Sequence, residues 1–291
     1  MTWTTTGNLG TFLRHAHTFL HSRPVEHTVP LTLCDTLAAA GPDVFGGLPP
    51  RFGWWRDGGG RAGAAFVHTP PRALQATPLP RAAVAPLAAV LGGPDGAAAP
   101  DVVEVPREVA GDFADAWLRL PGHAAGTAST VRLSRLHRLT ALVPPVPPPP
   151  GRARAGTAAD RDLLVRWMAG YAHALGEPEL LRGAASMADD RLASGSVLMW
   201  EDASGVPVAT AGTTRPVGGV VRINQVWTPP EHRRRGYAAG LTAAAAARAL
   251  GGGAREVVLF TDLANPTSNA LYHRLGFRPV LDRAAVRLRP A

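Results

Sequence analysis

The sequence predicts a mixed α+β protein in two parts, the second a mixed sheet with helices on both of its faces. Three observations carry this. The chain has 291 residues, long for a single core and ample for two domains of about 100–150 residues each. A stretch VPPVPPPPGRARAG at 143–156 holds consecutive prolines, which neither donate to a sheet nor continue a helix. Beyond it, helical and strand patterns follow in the order helix, helix, strand, strand, strand, helix, strand, helix, strand. Antiparallel strands that then cross over through a helix make a mixed sheet.

The expected boundaries are an N-terminal α+β domain at 1–143, a proline-rich linker at 144–150 and a C-terminal domain at 151–291. In the first part, residues 7–22 read as a helix through Leu9, Phe12, Leu13, Phe19 and Leu20. RFGWWRDGGGRAGAAFVHT, 51–69, reads as a hairpin around a glycine-rich turn. PREVAGDFADAWLRL, 106–120, reads as an amphipathic helix with Pro106 near its start, and 136–142 as a strand. After the prolines, 152–156 is a candidate strand. Residues 161–176 form a helix with Leu164, Val165, Met168, Tyr171 and Ala172 near one face. A short helix at 189–195 ends at Gly195. Strands follow at 196–202, 206–215 and 219–228, then a helix at 236–250, a strand at 256–262, a helix at 266–275 and a last strand at 277–288.

Hydrophobic residues at 46% and charged residues at 18% place the chain among globular rather than disordered proteins. The net charge of +8 comes entirely from arginine, since no lysine occurs. It favours anionic partners such as phosphorylated cofactors or acidic substrates. No basic run is interleaved with aromatics, so nucleic acid is not expected as a partner. The single cysteine, Cys34, excludes an internal disulfide and a cysteine-based zinc cluster and accords with a reducing cytoplasm. The N-terminus lacks the pattern of a signal peptide, and no apolar run approaches the roughly 20 residues of a membrane span. A soluble, cytoplasmic monomer or homodimer is expected. His15, His17, His21 and His27 fit no usual metal spacing and are read as surface histidines, so no metal is expected.

The stretch PPEHRRRGYAAGL, 229–241, carries the functional reading. Pro229 and Pro230 have no N–H, so the strand ladder ends there. Gly236 has no Cβ and lets the backbone bend and approach a ligand, and a side chain there is expected to take the ligand's place. The Ala- and Leu-rich run that follows favours helix. Its first amides lack intrahelical partners and sit at the positive end of the dipole. Strand, glycine turn and helix start together make an anion site, flanked by the charges of Arg233, Arg234 and Arg235. Neither the triphosphate-loop nor the dinucleotide glycine pattern is present.

A second stretch, TDLANPTSNALYHRLGF at 261–277, supports it. Asn265 suits an N-cap, Pro266 the first helical position and Gly276 a left-handed C-cap. Asn265, Ser268 and Tyr272 fall on one stripe of this helix, beside Leu271 and Leu275.

Together the two stretches resemble the GCN5-related N-acetyltransferase (GNAT) family over roughly 152–288. Arg233-Arg234-Arg235-Gly236-Tyr237-Ala238 resembles the family's cofactor loop, and NPTSNALYHRLGF its later helix. The resemblance implies a GNAT-like, mostly antiparallel mixed sheet flanked by helices. The first part would then be a degenerate copy of that fold or an unrelated cap over the substrate. It implies acetyl-coenzyme A as cofactor and transfer of acetyl to an amine of a small molecule or polypeptide by direct attack. The amides of about 234–239, through Ala239, would bind the pyrophosphate. The strand edge at Val226, Trp227 and Thr228 would pair with the pantetheine arm. Asn265, helped by Ser268 or Asn269, would hydrogen-bond that arm, and Tyr272 would be the general acid. Some relatives carry a glutamate base on the preceding strand, where this chain has Arg222, Asn224 and Gln225. Glu231 reads as surface, and Glu201 and Asp202 end an earlier strand. The base therefore stays open between these, a water chain and a residue of the first part. That keeps a second reading in view, a non-catalytic acyl-coenzyme A-binding module. Trp54, Trp55, Trp167 and Trp200 suit a core at least as well as an acceptor pocket.

Overall fold

A computed structural model of the protein describes residues 1–46, 48–93, 99–176 and 184–289. In chain order the first half runs β1 (Thr2–Thr6), α1 (Leu9–Ser22), α2 (Thr28–Ala40), β2 (Arg51–Arg56), β3 (Ala62–His68), β4 (Leu74–Ala76), α3 (Arg81–Gly92), β5 (Val102–Pro106), α4 (Ala110–Leu118) and β6 (Thr127–Leu139). The second half runs β7 (Arg152–Ala155), α5 (Arg161–Leu175), α6 (Ala184–Ala193), β8 (Val197–Glu201), β9 (Pro207–Thr213), β10 (Val220–Trp227), α7 (Tyr237–Gly251), β11 (Glu256–Asp262), α8 (Pro266–Arg274) and β12 (Phe277–Arg289). The two halves repeat one order of elements. In the first half the sequence reading missed β1, α2, β4, α3 and β5. Strand β4 is only three residues long, and α3 is too apolar to show a helical stripe and carries Pro86 in its interior.

The chain divides into two compact units. One comprises Met1–Leu136, Asp262–Ala264 and Val280–Ala291, the other His137–Thr261 and Asn265–Pro279. The prolines at 144–150 therefore fall inside the second unit. Pro149 is buried there, and the Pro150 carbonyl accepts a hydrogen bond from Trp200 Nε1 at 3.0 Å. The last strand, expected to complete the C-terminal domain, instead gives residues 280–289 to the first unit.

Within the first unit the strand order is β1-β2-β3-β4-β5-β12-β6. β12 pairs antiparallel with β5, from Arg283 opposite Pro106 to Arg287 opposite Val102. Its Ala284, Val286 and Leu288 join a core with Val103, Val105, Leu87, Phe113 and Trp117. Buried Arg283 donates to the Glu104 carbonyl at 3.0 Å, and the Glu104 carboxylate takes a 3.0 Å bond from Arg132. On β2, Gly53 is required because a Cβ there would stand 2.2 Å from the Phe66 ring. His27, expected at the surface, is fully buried. It sits in the turn between α1 and the missed α2, where its Nδ1 pairs with the Leu20 carbonyl at 3.0 Å. Burial pushes its pKa down. Trp54 and Trp55 are core residues.

Within the second unit, β7, β8, β9 and β10 are successively antiparallel, and β11 adds parallel to β10. α7 and α8 pack through Leu241, Ala245 and Tyr272 on a core that includes Val221, Ile223 and Phe277. Leu164, Trp167 and Met168 of α5 and Ala188 of α6 form a separate core with Val197 and Met199 of β8. The start of α5 is anchored by Arg154. Its guanidinium grips Asp160 at 2.6 and 2.8 Å and also bonds Glu201.

Candidate active site

The site begins where a ladder stops. β10 and β11 are in parallel register from Val220 opposite Glu256 to Ile223 opposite Leu259, and no further pair is registered among the described residues. The antiparallel register of β10 with β9 also shifts between Asn224 and Trp227. Gln225 there takes φ 48°, a left-handed conformation uncommon outside glycine. The C-terminal end of β10 therefore leaves its parallel neighbour, and Val226 and Trp227 face opposite ways. Val226 packs toward the α7 core and Trp227 toward the α5 core. The Thr228 carbonyl accepts from Arg233 Nε at 2.9 Å, and its hydroxyl is buried without a hydrogen-bond partner.

After Pro229 and Pro230 the chain curls into α7. Arg234 has φ 63° and Gly236 φ 81°. Two left-handed residues thus flank Arg235 at the entry to α7. Among the described residues the N–H groups of Arg234, Arg235, Gly236, Tyr237 and Ala238 donate to no protein acceptor. Gly236, Tyr237 and Ala238 are amides that a helix start leaves open by necessity, and Arg234 and Arg235 add two more. The Ala239 amide, also expected to face the ligand, donates to the Gly236 carbonyl at 3.0 Å, so the set ends at Ala238. Tyr237 buries its side chain in the core and offers only its amide.

The three arginines differ. The Arg233 guanidinium lies 5.0 Å over the Trp227 ring and is tied to the strand end. Arg235 makes only a long 3.4 Å bond to the Glu231 carbonyl, and Arg234 is exposed. A Cβ at Gly236 would meet the Pro149 ring at 3.3 Å, so the glycine serves the turn and also the packing of Pro149.

On α8, Asn265 Oδ1 accepts the Ser268 amide at 3.0 Å, as expected of an N-cap. Asn269 is engaged at the junction, donating to the Asn265 carbonyl at 2.8 Å and accepting from Thr261 Oγ1 at 2.7 Å. Tyr272 is buried. Burial pushes its phenol pKa up, the nearby Tyr171 phenol adds to the rise, and the Thr242 hydroxyl lowers it. Thr242 Oγ1 faces it but makes no hydrogen bond of ordinary geometry. The net effect holds the Tyr272 proton in place at neutral pH.

On the α5 side of the sheet a small, partly open cleft of about 10 Å³, room for roughly one water, adjoins the bulge. Leu164, Trp167, Met168 and Tyr171 line it from α5, at spacings that put all four on one helical face. Gln225 and Trp227 line it from β10, Thr210 and Gly212 from β9, and Arg191 from α6. The Tyr171 and Trp227 rings meet edge to face at 6.2 Å. Of the four tryptophans considered from sequence, Trp167 reaches this cleft. Trp200 is core, in contact distance of Gly240.

The carboxylates weighed as bases lie elsewhere. Glu201 bonds Arg154 and Arg152, and the Arg154 contact holds its carboxyl below the usual range. Asp202 accepts the amides of Ser204 and Val206 in a turn, and Glu231 is exposed. Sequence reasoning missed Tyr171, Arg191 and Thr210 as cleft residues. The α5 spacing was visible but reads equally as core, and nothing local marks an arginine in a short helix.

The profile of the acetyltransferase (GNAT) family matches residues 164–277. A GCN5-related N-acetyltransferase from Sphaerobacter thermophilus superimposes with TM-score 0.60 at 19% identity, over 99% of this chain and 95% of that one. A GNAT-family acetyltransferase from Colwellia psychrerythraea gives TM-score 0.58 at 12% identity over 100% of both chains. A Drosophila structural-genomics protein gives 0.63 at 14% identity over 98% of both. No curated protein matches the chain. At these identities the solved structures speak to fold alone, and they extend over both units, consistent with two GNAT-like domains. The opened ladder and the unpartnered amides that follow it both lie in the segment, residues 164–277, that matches the acetyltransferase (GNAT) family profile.

Proposed function

We propose that the protein is an acetyl-coenzyme A-dependent N-acetyltransferase that transfers acetyl to an amine. The observation that carries this is the run of five amides, Arg234 to Ala238, with no acceptor of their own beside the opened edge of β10. These groups fit a diphosphate: successive main-chain donors lie without protein acceptors at a helix start, and Arg234 and Arg235 lie exposed beside them. The main-chain groups of Val226 and Trp227, released from the parallel ladder, fit an amide-bearing arm laid along the strand. Asn265 has its Nδ2 group for the same arm, while Asn269 positions α8 against β11. The bound cofactor supplies an electrophilic thioester. The chain's own work is to align the amine with it, through the cleft walls, and to hold a proton at Tyr272 Oη for the departing thiolate.

The test is thiol release on incubation with acetyl-coenzyme A and a panel of amines. Release above background is expected. Tyr272→Phe should lower turnover by about 10²-fold or more while cofactor binding persists. A panel with no release, and a variant indistinguishable from wild type, would remove this reading. The second reading, an acyl-coenzyme A-binding module, is supported by the engagement of Glu201 with Arg154 and Arg152. It predicts a thermal shift with the cofactor and no thiol released.

A further inference from the structure

The start of α8 is tied to the sheet by a chain of hydrogen bonds that ends on a buried histidine. His137 lies near the end of β6, is 3% exposed and meets Thr261 Oγ1 through its Nε2 at 3.1 Å. Thr261, the last residue but one of β11, is buried as well. Its hydroxyl donates to Asn269 Oδ1 at 2.7 Å, and Asn269 Nδ2 donates to the Asn265 carbonyl at 2.8 Å. All four residues belong to the second unit.

The direction of the chain follows from its last group. A main-chain carbonyl only accepts, so the Asn269 amide turns its nitrogen to Asn265 and its oxygen to Thr261. The Thr261 hydrogen is then committed to Asn269, and the same hydroxyl oxygen accepts from His137. Nε2 of His137 therefore carries a hydrogen, in the neutral ring as in the charged one. Each residue donates to the next, from His137 through Thr261 and Asn269 to Asn265. At the His137 and Thr261 end the bonds lie out of water, where they are electrostatically stronger and polarise one another. At the other end both oxygens of Asn265 are held. Its carbonyl also takes the Asn269 amide at 3.2 Å, and its Oδ1 takes the Ser268 amide at 3.0 Å. That fixes where the Asn265 Nδ2 group stands.

We infer that His137 and Thr261 are positioning residues for the cofactor, acting through Asn269 to hold Asn265 Nδ2 against the pantetheine arm. The role rests on the acetyl-coenzyme A-dependent function proposed for the protein, but its test is binding and does not require turnover.

Two probes are titrated into the full chain by calorimetry: coenzyme A, which carries the arm, and 3′-phosphoadenosine 5′-diphosphate, which keeps the diphosphate and lacks the arm. Thr261→Val, which keeps the shape and removes the hydroxyl, should weaken coenzyme A about fivefold to tenfold, the scale of one hydrogen bond, and leave the second probe within about twofold. Thr261→Ser should restore coenzyme A binding. His137→Leu should weaken coenzyme A with the same selectivity, and His137→Gln, whose amide nitrogen donates where Nε2 did, should recover most of the loss. In turnover the change should appear in KM for acetyl-coenzyme A rather than in kcat. Nitrogen NMR of the unliganded wild type adds a readout free of cofactor: His137 should carry its hydrogen on Nε2. A bare Nε2, or valine and leucine variants that bind coenzyme A as tightly as wild type, overturns the inference. So does an equal loss of both probes in every variant, the conservative ones included. A wild-type chain that binds neither probe removes the acetyltransferase reading and this role with it. A wild type that binds both, with variants that match it, removes the role alone.

Discussion

Single residues here are set by their neighbours more than by their type. Tyr272 is an ordinary phenol in sequence. Buried beside Thr242 and Tyr171 it keeps its proton at neutral pH, which suits an acid and disqualifies a base. Asp160 shows the opposite case. The Arg154 fork holds its carboxyl below the usual range, so the contact stabilises the fold above the unfolded carboxyl pKa of about 3.9 and is lost as pH falls through the lower folded value. Asp160→Asn, which keeps the side-chain oxygen for the Thr157 amide but not the charge, should be less stable than wild type at neutral pH. The gap should close in acid below about pH 4, as measured by urea midpoints across the pH range. At this scale the sequence spoke well for residues whose role is local. Asn265 as cap and Gly236 as turn were visible from spacing. His27 and Arg191 were not, because burial and a partner across the fold decide what they do.

At the scale of the element, the junction of β10 and α7 is the informative piece. The prolines, the arginines and the glycine made a turn and a helix start legible, and the structure adds the second left-handed residue at Arg234 and the close of the open set at Ala239. Gly236→Ala tests the turn. A left-handed φ costs an L residue about 1–2 kcal/mol, and the Pro149 ring must move as well. A lower thermal midpoint and a smaller stabilisation by acetyl-coenzyme A are expected together. For wild type, the cofactor at 100 times its dissociation constant should add about 2.7 kcal/mol. A wild-type protein that shows no shift at any concentration would contradict the anion site itself. Hydrophobic periodicity identified α5, but one stripe serves both a core and a cleft, and only the bulge across the sheet separates the two uses.

At the scale of the whole molecule, the repeat of one element order in two units is the main result. The first unit lacks the features that make the second a candidate site. Where α7 begins with Arg235 and Gly236, α3 begins after Pro78 and Pro80, which have no N–H to offer an anion. The first unit also depends on the end of the chain. Removing residues 280–291 strips its core of Ala284, Val286 and Leu288, of which the two larger side chains are worth about 1.5–3 kcal/mol each. That loss is comparable to the marginal stability of a domain. Hydrogen exchange should then show β5 unprotected in the truncated chain. Protection of β5 equal to wild type would contradict the strand's assignment to this unit.

Sequence alone determined the glycine turn into α7, the capped helix after it and the order of elements in the second half, because each rests on contacts between near neighbours: a missing Cβ, a missing N–H, a side chain three residues from the amide it accepts. Tertiary structure decided which unit the final strand completes, that Pro149 of the proline run is buried against Gly236, and that an arginine of α6 stands in a cleft lined by α5. Those outcomes turn on pairings between residues far apart in the chain, and a strand or an arginine carries no local mark of the partner it will meet.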